Sequence, residues 1–440
     1  MNSHISPAYL STTEQLADFL SAVDRPGILA VDTEFHSEKT YYARLCLIQL
    51  STEEAAALVD PLTIDDLTPL ARVFDDERVV KIFHAGNQDI DILNRACGSV
   101  PHPVFDTQVA AGLLGHPQQI GYGALVKAFC GVQLPKADSF TDWTRRPLSD
   151  TQRAYAIDDV LYLPGIYHDM RARLEKAGRL EWLTDDFERL ADPESYRNHV
   201  EDAWRKAKRV SSLTRRQLAV AQAVAAWRER TAQAKNLPRK WVLADELVVE
   251  IARRAPQSRE ELLEVRGVDE HMGRKVQDRL VADIRDALAR DPQTWPHVAR
   301  RPHVQRDAAG VVDLMQALLH LRAQENGVAS QIIATKDDLV HLLHGEVDDL
   351  PLMTGWRRRI VGDELCRLLE GGVDLRVEQG VLKVTTRPVE ADAREGAVPS
   401  DGQAQTDAGA AGVQVVRLDV DGGDGANRDG RRRMVVSRHD

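Results

Sequence analysis

Apolar and polar positions change rhythm along the chain. Up to about residue 200, short apolar runs alternate with helical spacing. Ile28 to Glu34 (ILAVDTE) reads as a buried strand ending in polar residues. Arg44 to Leu50 (RLCLIQL), Ala57 to Asp60 (ALVD) and Val79 to His84 (VVKIFH) read as three further strands. Helical patterns follow at Gln88 to Cys97, Thr107 to Leu114 and Tyr122 to Cys130. The mixture predicts an α/β domain over residues 1–200. A helix start is marked by Ser149 and Gln152, a Ser-x-x-Gln capping box just after Pro147. The helix should run through Arg153 to His168, with a kink or break at Pro164.

From about residue 205 the strand patterns give way to helices. Ala234 to Val248 (AKNLPRKWVLADELV), followed by Gly267 and Gly273, is echoed by Gln324 to Val340 (QENGVASQIIATKDDLV), followed by Gly355 and Gly362. Each segment places an Asn-containing turn before a helix and later a glycine-bounded turn. This predicts two related all-α modules over 209–290 and 305–385. After Pro388 the chain turns to Gly, Ala and Asp with few aromatics, which predicts a disordered tail over 388–440.

A length of 440 residues with 43% hydrophobic positions suits about three globular domains. No stretch approaches the ~20 apolar residues of a membrane span, and Met1 to Gln15 lacks the basic-then-apolar order of an export signal. The expectation is a soluble, cytoplasmic protein with no membrane partner. Cys46, Cys97, Cys130 and Cys366 are scattered, with no Cys-x-x-Cys pair, which fits a reducing compartment. The net charge of −11 is unusual for a nucleic-acid binder, but its distribution is uneven. From Trp204 to Lys240 there are eleven Lys or Arg and one acid, Glu229.

Four carboxylates carry the candidate chemistry. Asp32 and Glu34 stand two apart at a strand end, so both project from one face. Asp89 falls in the first turn of the next helix. Tyr155 and Asp159, four apart, share one face of the helix capped by Ser149. Taken singly, Asp89 is an ordinary partner for a helix dipole, and Tyr155 with Asp159 a plain surface pair. Brought together, the acids would repel one another unless a cation joined them. Hard ions such as Mg²⁺ or Mn²⁺ prefer such oxygen ligands. Two of them about 3.5–4 Å apart can clamp a phosphodiester for attack by water.

VDTEF (Val31 to Phe35), HAGNQDI (His84 to Ile90) and YAIDD (Tyr155 to Asp159) occur in the order and approximate spacing of the three motifs of the DEDD exonucleases. Together with FDTQVAAGLLG (Phe105 to Gly115) and DWTRRPL (Asp142 to Leu148), they resemble the ribonuclease D branch. WRERTAQAKNLPRKWVLADELV (Trp227 to Val248) resembles the helicase-and-RNase-D C-terminal module, HRDC. The likeness spans about residues 20 to 290 and runs more loosely to 385.

The resemblance implies a ribonuclease H-like exonuclease domain with a mixed sheet, two HRDC-type modules and a tail. It implies hydrolysis of single-stranded RNA from the 3′ end to nucleoside 5′-monophosphates, with stable RNA precursors such as tRNA as substrates. It makes Asp32, Glu34, Asp89 and Asp159 the ligands of two divalent ions, with Asp32 bridging them, and gives Tyr155 the task of orienting the water. The histidine version of the family carries His five residues before the last Asp; here that position is Ala154, so the tyrosine version applies. The Tyr-x-x-x-Asp spacing selects Asp159 over Asp158. Asp91 is expected to be exposed, and Asp106 to cap a helix.

For substrate contacts, Phe35 is placed to stack on a base or to fill the core. His84 and Gln88 flank the second motif, and Lys136, Arg145 and Arg146 precede the last catalytic helix, where they can meet phosphate. The sequence does not separate RNA from DNA, because discrimination at the 2′-hydroxyl depends on pocket shape. A non-catalytic RNA-binding protein is disfavoured by the full set of four acids and the tyrosine. A nucleotide-binding enzyme is disfavoured by the lack of a Gly-x-Gly-x-x-Gly or phosphate-loop lysine motif. Every proposed ligand lies before residue 160, so the sequence places catalysis in the first domain and gives the HRDC module auxiliary RNA binding.

Overall fold

The computed structural model describes residues 7–21, 27–135, 141–268, 272–298, 306–348 and 350–387. The tail after Pro388, Lys136 and the middle of the Gly267–Gly273 turn therefore lie outside the described residues. The chain divides into two compact units. One comprises Met1–Ala111 and Gln119–Arg301, and the other Gly112–Gln118 and the chain from Pro302 onward.

The first unit opens with β1 (Ala8–Leu10), α1 (Thr13–Ser21), β2 (Gly27–His36), β3 (Arg44–Ser51), β4 (Ala56–Val59), α2 (Thr68–Phe74), β5 (Val79–Phe83), α3 (Asn87–Cys97), β6 (Val104–Asp106), α4 (Thr107–Leu113) and α5 (Tyr122–Cys130). After these come α6 (Asp150–Leu161), α7 (Leu163–Lys176) and α8 (Thr184–Ala191). The six strands form one sheet in the order β1-β4-β3-β2-β5-β6. β3 runs antiparallel to β2 and β4, while the β1–β4, β2–β5 and β5–β6 pairs are parallel, so the sheet is mixed as expected. All four anticipated strands are present. β1 and β6 were not anticipated: at three residues each, they are too short to show alternation.

One face of the sheet buries Leu29, Val31, Ile48 and Leu50 with Leu16, Phe74 and Ile90 of the flanking helices. The opposite face receives α6, which packs on β2, β3 and β4. Ala156, Ile157 and Val160 are its buried side. The Ser149 capping box is formed in both directions: the Ser149 hydroxyl accepts from the Gln152 N–H at 3.1 Å, and the Gln152 side chain accepts from the Ser149 N–H at 2.9 Å. The anticipated break also occurs. α6 stops at Leu161 and α7 begins with Pro164 in its first turn, where a missing N–H costs nothing.

The rest of this unit is helical: α9 (Arg215–Lys235), α10 (Arg239–Val242), α11 (Asp245–Arg254), α12 (Arg259–Leu263) and α13 (Arg274–Ala289) close over Val224, Trp227, Val248, Ile251 and Leu280. The second unit has α14 (Arg306–Asn326), α15 (Ser330–Ile333), α16 (Lys336–Leu343), α17 (Gly355–Arg357) and α18 (Asp363–Leu369). Both α9 and α14 have 21 residues, and each leads through a left-handed residue, Asn236 (φ 48°) or Gly327 (φ 57°), to a four-residue helix. The internal echo seen in the sequence is thus an echo of element order.

The second module is not all-α. β7 (Val373–Glu378) and β8 (Val381–Thr386) form an antiparallel hairpin. Gln379 and Gly380 both take positive φ, as a two-residue hairpin turn requires. Apolar and polar residues alternate along β7, but the strands are largely exposed (Val377 is 71% exposed), so no apolar run marked them.

Candidate active site

Asp32 and Glu34 lie near the end of β2, on the face that receives α6. Their cross-strand neighbours on β3 are Gln49 and Leu47. The pairing of β2 with β5 stops at Ala30, so that edge of β2 is left open beyond it. α3 begins close by. Its first turn carries Asp89, which accepts a hydrogen bond from the Thr33 hydroxyl. Alternation puts Thr33 on the opposite face of β2 from Asp32 and Glu34, so one strand contributes two acids and a tether for the third.

The turn before α3 is itself held. Gly86 N donates to Asp106 Oδ2 at 2.9 Å and Ala85 N to Oδ1 at 3.2 Å, while the same carboxylate caps α4 through Gln108 N at 2.8 Å. Asp106 is therefore the helix cap that was expected, and also a brace for the segment that presents Asp89. A Cβ at Gly86 would lie 2.4 Å from Phe83 Cβ, so no larger residue fits that turn.

Asp159 and Tyr155 occupy one face of α6, and the tyrosine hydroxyl favours the ionised form of the Asp159 carboxylate. The Trp143 ring packs 6.1 Å from that of Tyr155. The charges show that the acids meet. Burial, and then Asp89, Asp159 and Glu34, raise Asp32 far above the ordinary carboxylate range. Burial, with Asp159 and Asp89, pushes Glu34 up to about 8. Burial pushes Asp159 up to about 7 against the hydrogen bond from Tyr155. Asp89 is raised by burial, partly offset by the Thr33 hydroxyl. Among the described residues no three His, Cys, Asp or Glu side chains are drawn together tightly enough to cage an ion. The donor set nonetheless fits one: four half-buried carboxylates offer hard oxygens, and a divalent cation would relieve the repulsion felt by Asp32 and Glu34.

Other anticipated contacts fall into place differently. Phe35 sits half-buried at a bulge in β2, outside the core. Gln88 is exposed. His84 is satisfied within the protein, with Nδ1 3.0 Å from Thr107 Oγ1 and Nε2 3.0 Å from the Ile120 carbonyl. Arg145 is exposed and pairs with Asp142 at 3.1 Å. Arg146 is committed to structure: Nε and Nη2 grip the buried Asp60 at 2.5 and 2.8 Å, and Nη2 also donates to the Cys46 carbonyl. This ion pair ties the segment before α6 to the end of β4. Asp91, expected to be exposed, is half-buried and pairs with Arg95 at 2.8 Å. Thr33, Asp60 and the brace role of Asp106 were missed. Their partners are 20 to 86 positions away, and no local pattern announces them.

The basic stretch is also less free than its composition suggests. Arg228 is 1% exposed and pairs with Asp245, and Arg239 is paired with Glu229. Lys206, Lys208, Arg216, Lys235 and Lys240 remain exposed.

This arrangement fits a 3′-to-5′ exonuclease domain followed by a helical HRDC domain. The sequence models of those two families match residues 7–175 and 217–290. The chain is 40% identical to ribonuclease D of Sphingobium indicum over 383 residues, covering 86% of this chain and 98% of that one. It is 40% identical to ribonuclease D of Acidiphilium cryptum over 384 residues, covering 87% and 98%. The crystal structure of Escherichia coli RNase D, described as an exoribonuclease involved in structured RNA processing, superposes with a TM-score of 0.72 at 30% identity. The match covers 83% of this chain and 99% of that one. The chain belongs to the ribonuclease D family and is a 3′-to-5′ exoribonuclease of RNA processing. Such exonucleases generally depend on a divalent metal.

The raised acids give a pH signature. Glu34 and Asp159 ordinarily titrate near 4.5 and 3.8, but in the fold near 8 and 7. Each binds its proton more readily folded than unfolded. The stability this carries is full below about pH 4 and is lost as the pH rises through 7 and 8. If Mg²⁺ or Mn²⁺ is held by the ionised acids, adding the ion should raise Tm more at pH 8 than at pH 6. Thermal melts with and without the ion at both pH values check this; an equal rise at both would show acids already ionised.

Proposed function

We propose that Asp32, Glu34, Asp89 and Asp159 hold two divalent ions, Mg²⁺ or Mn²⁺, and that the chain trims single-stranded RNA 3′ ends to nucleoside 5′-monophosphates. The observation that carries this reading is that Asp89 and Asp159 both raise Asp32 and Glu34, with Tyr155 beside them. When bound, such ions activate the attacking water and neutralise charge on the leaving oxygen. Burial and the neighbouring acids hold the Tyr155 phenol far above its ordinary range, so it stays protonated. It therefore orients the water by hydrogen bonding and does not act as a base. Asp159, four residues on along the same face of α6, is the carboxylate on which that hydroxyl acts. Thr33 and Asp106 keep Asp89 at the open edge of β2, while Phe35 offers a face to the terminal base.

Likeness to ribonuclease D favours stable RNA precursors, tRNA 3′ ends among them, as substrates. A cytoplasmic site of action suits the four free cysteines. No helix among the described residues is long and apolar enough to cross a membrane. The test is digestion of matched RNA and DNA oligonucleotides with Mg²⁺, with Mn²⁺ and with chelator. The expected result is stepwise loss of RNA from the 3′ end, abolished by chelation. Persistent cleavage after thorough chelation, or faster loss of DNA, would overturn the reading.

A further inference from the structure

Residues 37–43 join β2, the strand of Asp32 and Glu34, to β3. Two of them reach the HRDC domain of the same compact unit. The Tyr41 hydroxyl donates to Glu229 on α9, and Asn198 donates to both groups. Arg239 grips both oxygens of Glu229 at 2.6 and 2.7 Å, and its guanidinium lies 4.9 Å from the centre of the Tyr41 ring. Asn236 ends α9 in the left-handed conformation that asparagine tolerates. Its side-chain oxygen accepts from Tyr41 N at 3.1 Å and Tyr42 N at 3.0 Å. On the loop's other flank, Arg95 of α3 lies 5.4 Å from the centre of the Tyr42 ring. Glu229, the one acid in the basic stretch, has a fully buried side chain. Although burial works against ionisation, hydrogen bonds from Arg239, Tyr41 and Asn198 hold it ionised, down to about 2.

A buried, charge-assisted network of this kind fixes geometry, because each member left unpaired is costly. What it fixes is the loop that begins at Ser37, two residues after the Glu34/Phe35 register shift. Phe35 is the aromatic nearest the acids on β2, and the loop follows it after His36. We propose that Tyr41, Asn236 and Glu229 form a latch by which the HRDC domain positions the β2–β3 loop for capture of the RNA 3′ end. The domain then acts on the shortest substrates, and not only by adding affinity for long ones. The proposal rests on the site assignment above.

The test uses the full chain, a tetranucleotide RNA and the variants Tyr41→Phe and Asn236→Gly. The first removes one hydroxyl, and the second keeps the left-handed backbone while removing the acceptor. Amide hydrogen exchange in residues 37–43 should quicken while that of Ile28 to Val31 stays unchanged. KM should rise by about three- to tenfold with kcat within about twofold, as for lost positioning of the bound end. Glu229→Gln, which keeps the shape and weakens the charge, should fall in between. Unchanged exchange, or quickened exchange with an unchanged KM, would overturn the latch. So would kcat falling in step with Tm, which would mark a fold contact only. An unaltered chain that fails to trim the tetranucleotide would instead overturn the site assignment beneath it.

Discussion

Asp32→Asn should reduce RNA trimming by about 10⁴-fold or more, because on the proposed assignment it removes an anionic ligand from the centre of a metal-assisted site. The same substitution should leave the protein at least as stable at pH 8. Asp32 is buried among Asp89, Asp159 and Glu34, and its charge is opposed by all three. A neutral amide of similar shape relieves that opposition. The pairing of two outcomes is informative: a mutation that damaged the fold would lower both activity and Tm. Single-turnover assays with saturating Mg²⁺ and Mn²⁺, read beside thermal melts, check it. A near-normal rate would remove Asp32 from the ligand set.

Tyr155→Phe should lower kcat by about 10²–10⁴-fold while ion binding and RNA affinity persist, because only the group that orients the nucleophile is lost. The ring keeps its place against Trp143, so packing should be undisturbed. Asp159 loses a hydrogen bond that favours its ionised form, so its carboxyl should titrate higher still. The pH–rate profile of the residual activity should accordingly shift to higher pH. Turnover equal to that of the unaltered chain would show that the hydroxyl does not act on the water.

The parts of this site legible in the sequence share a property: they depend on short-range spacing. Asp32 and Glu34 project together because strands alternate, Tyr155 and Asp159 because helices repeat, and the start of α6 is written in Ser149 and Gln152. The order of the three motifs joined them into one family resemblance. The illegible parts are long-range pairings between ordinary residues. Nothing near Thr33 indicates that it tethers Asp89, and nothing near Arg146 indicates that Asp60 will claim it. The basic stretch misled in the same way, since composition does not say which arginines are buried in ion pairs. The β7–β8 hairpin escaped because exposed strands carry few apolar residues to count.

The spread of the site along the chain has a consequence for synthesis. Ribosomes add about 5–20 residues per second, and N-terminal segments fold first. The acids emerge in the order Asp32, Asp89, Asp159, so a growing chain holds an incomplete ligand set until α6 has left the ribosome. The loop partners Glu229, Asn236 and Arg239 follow about six seconds later at the middle of that range. A nuclease made on an RNA machine thus gains its proposed ligand set first and the contacts that hold its β2–β3 loop only afterwards.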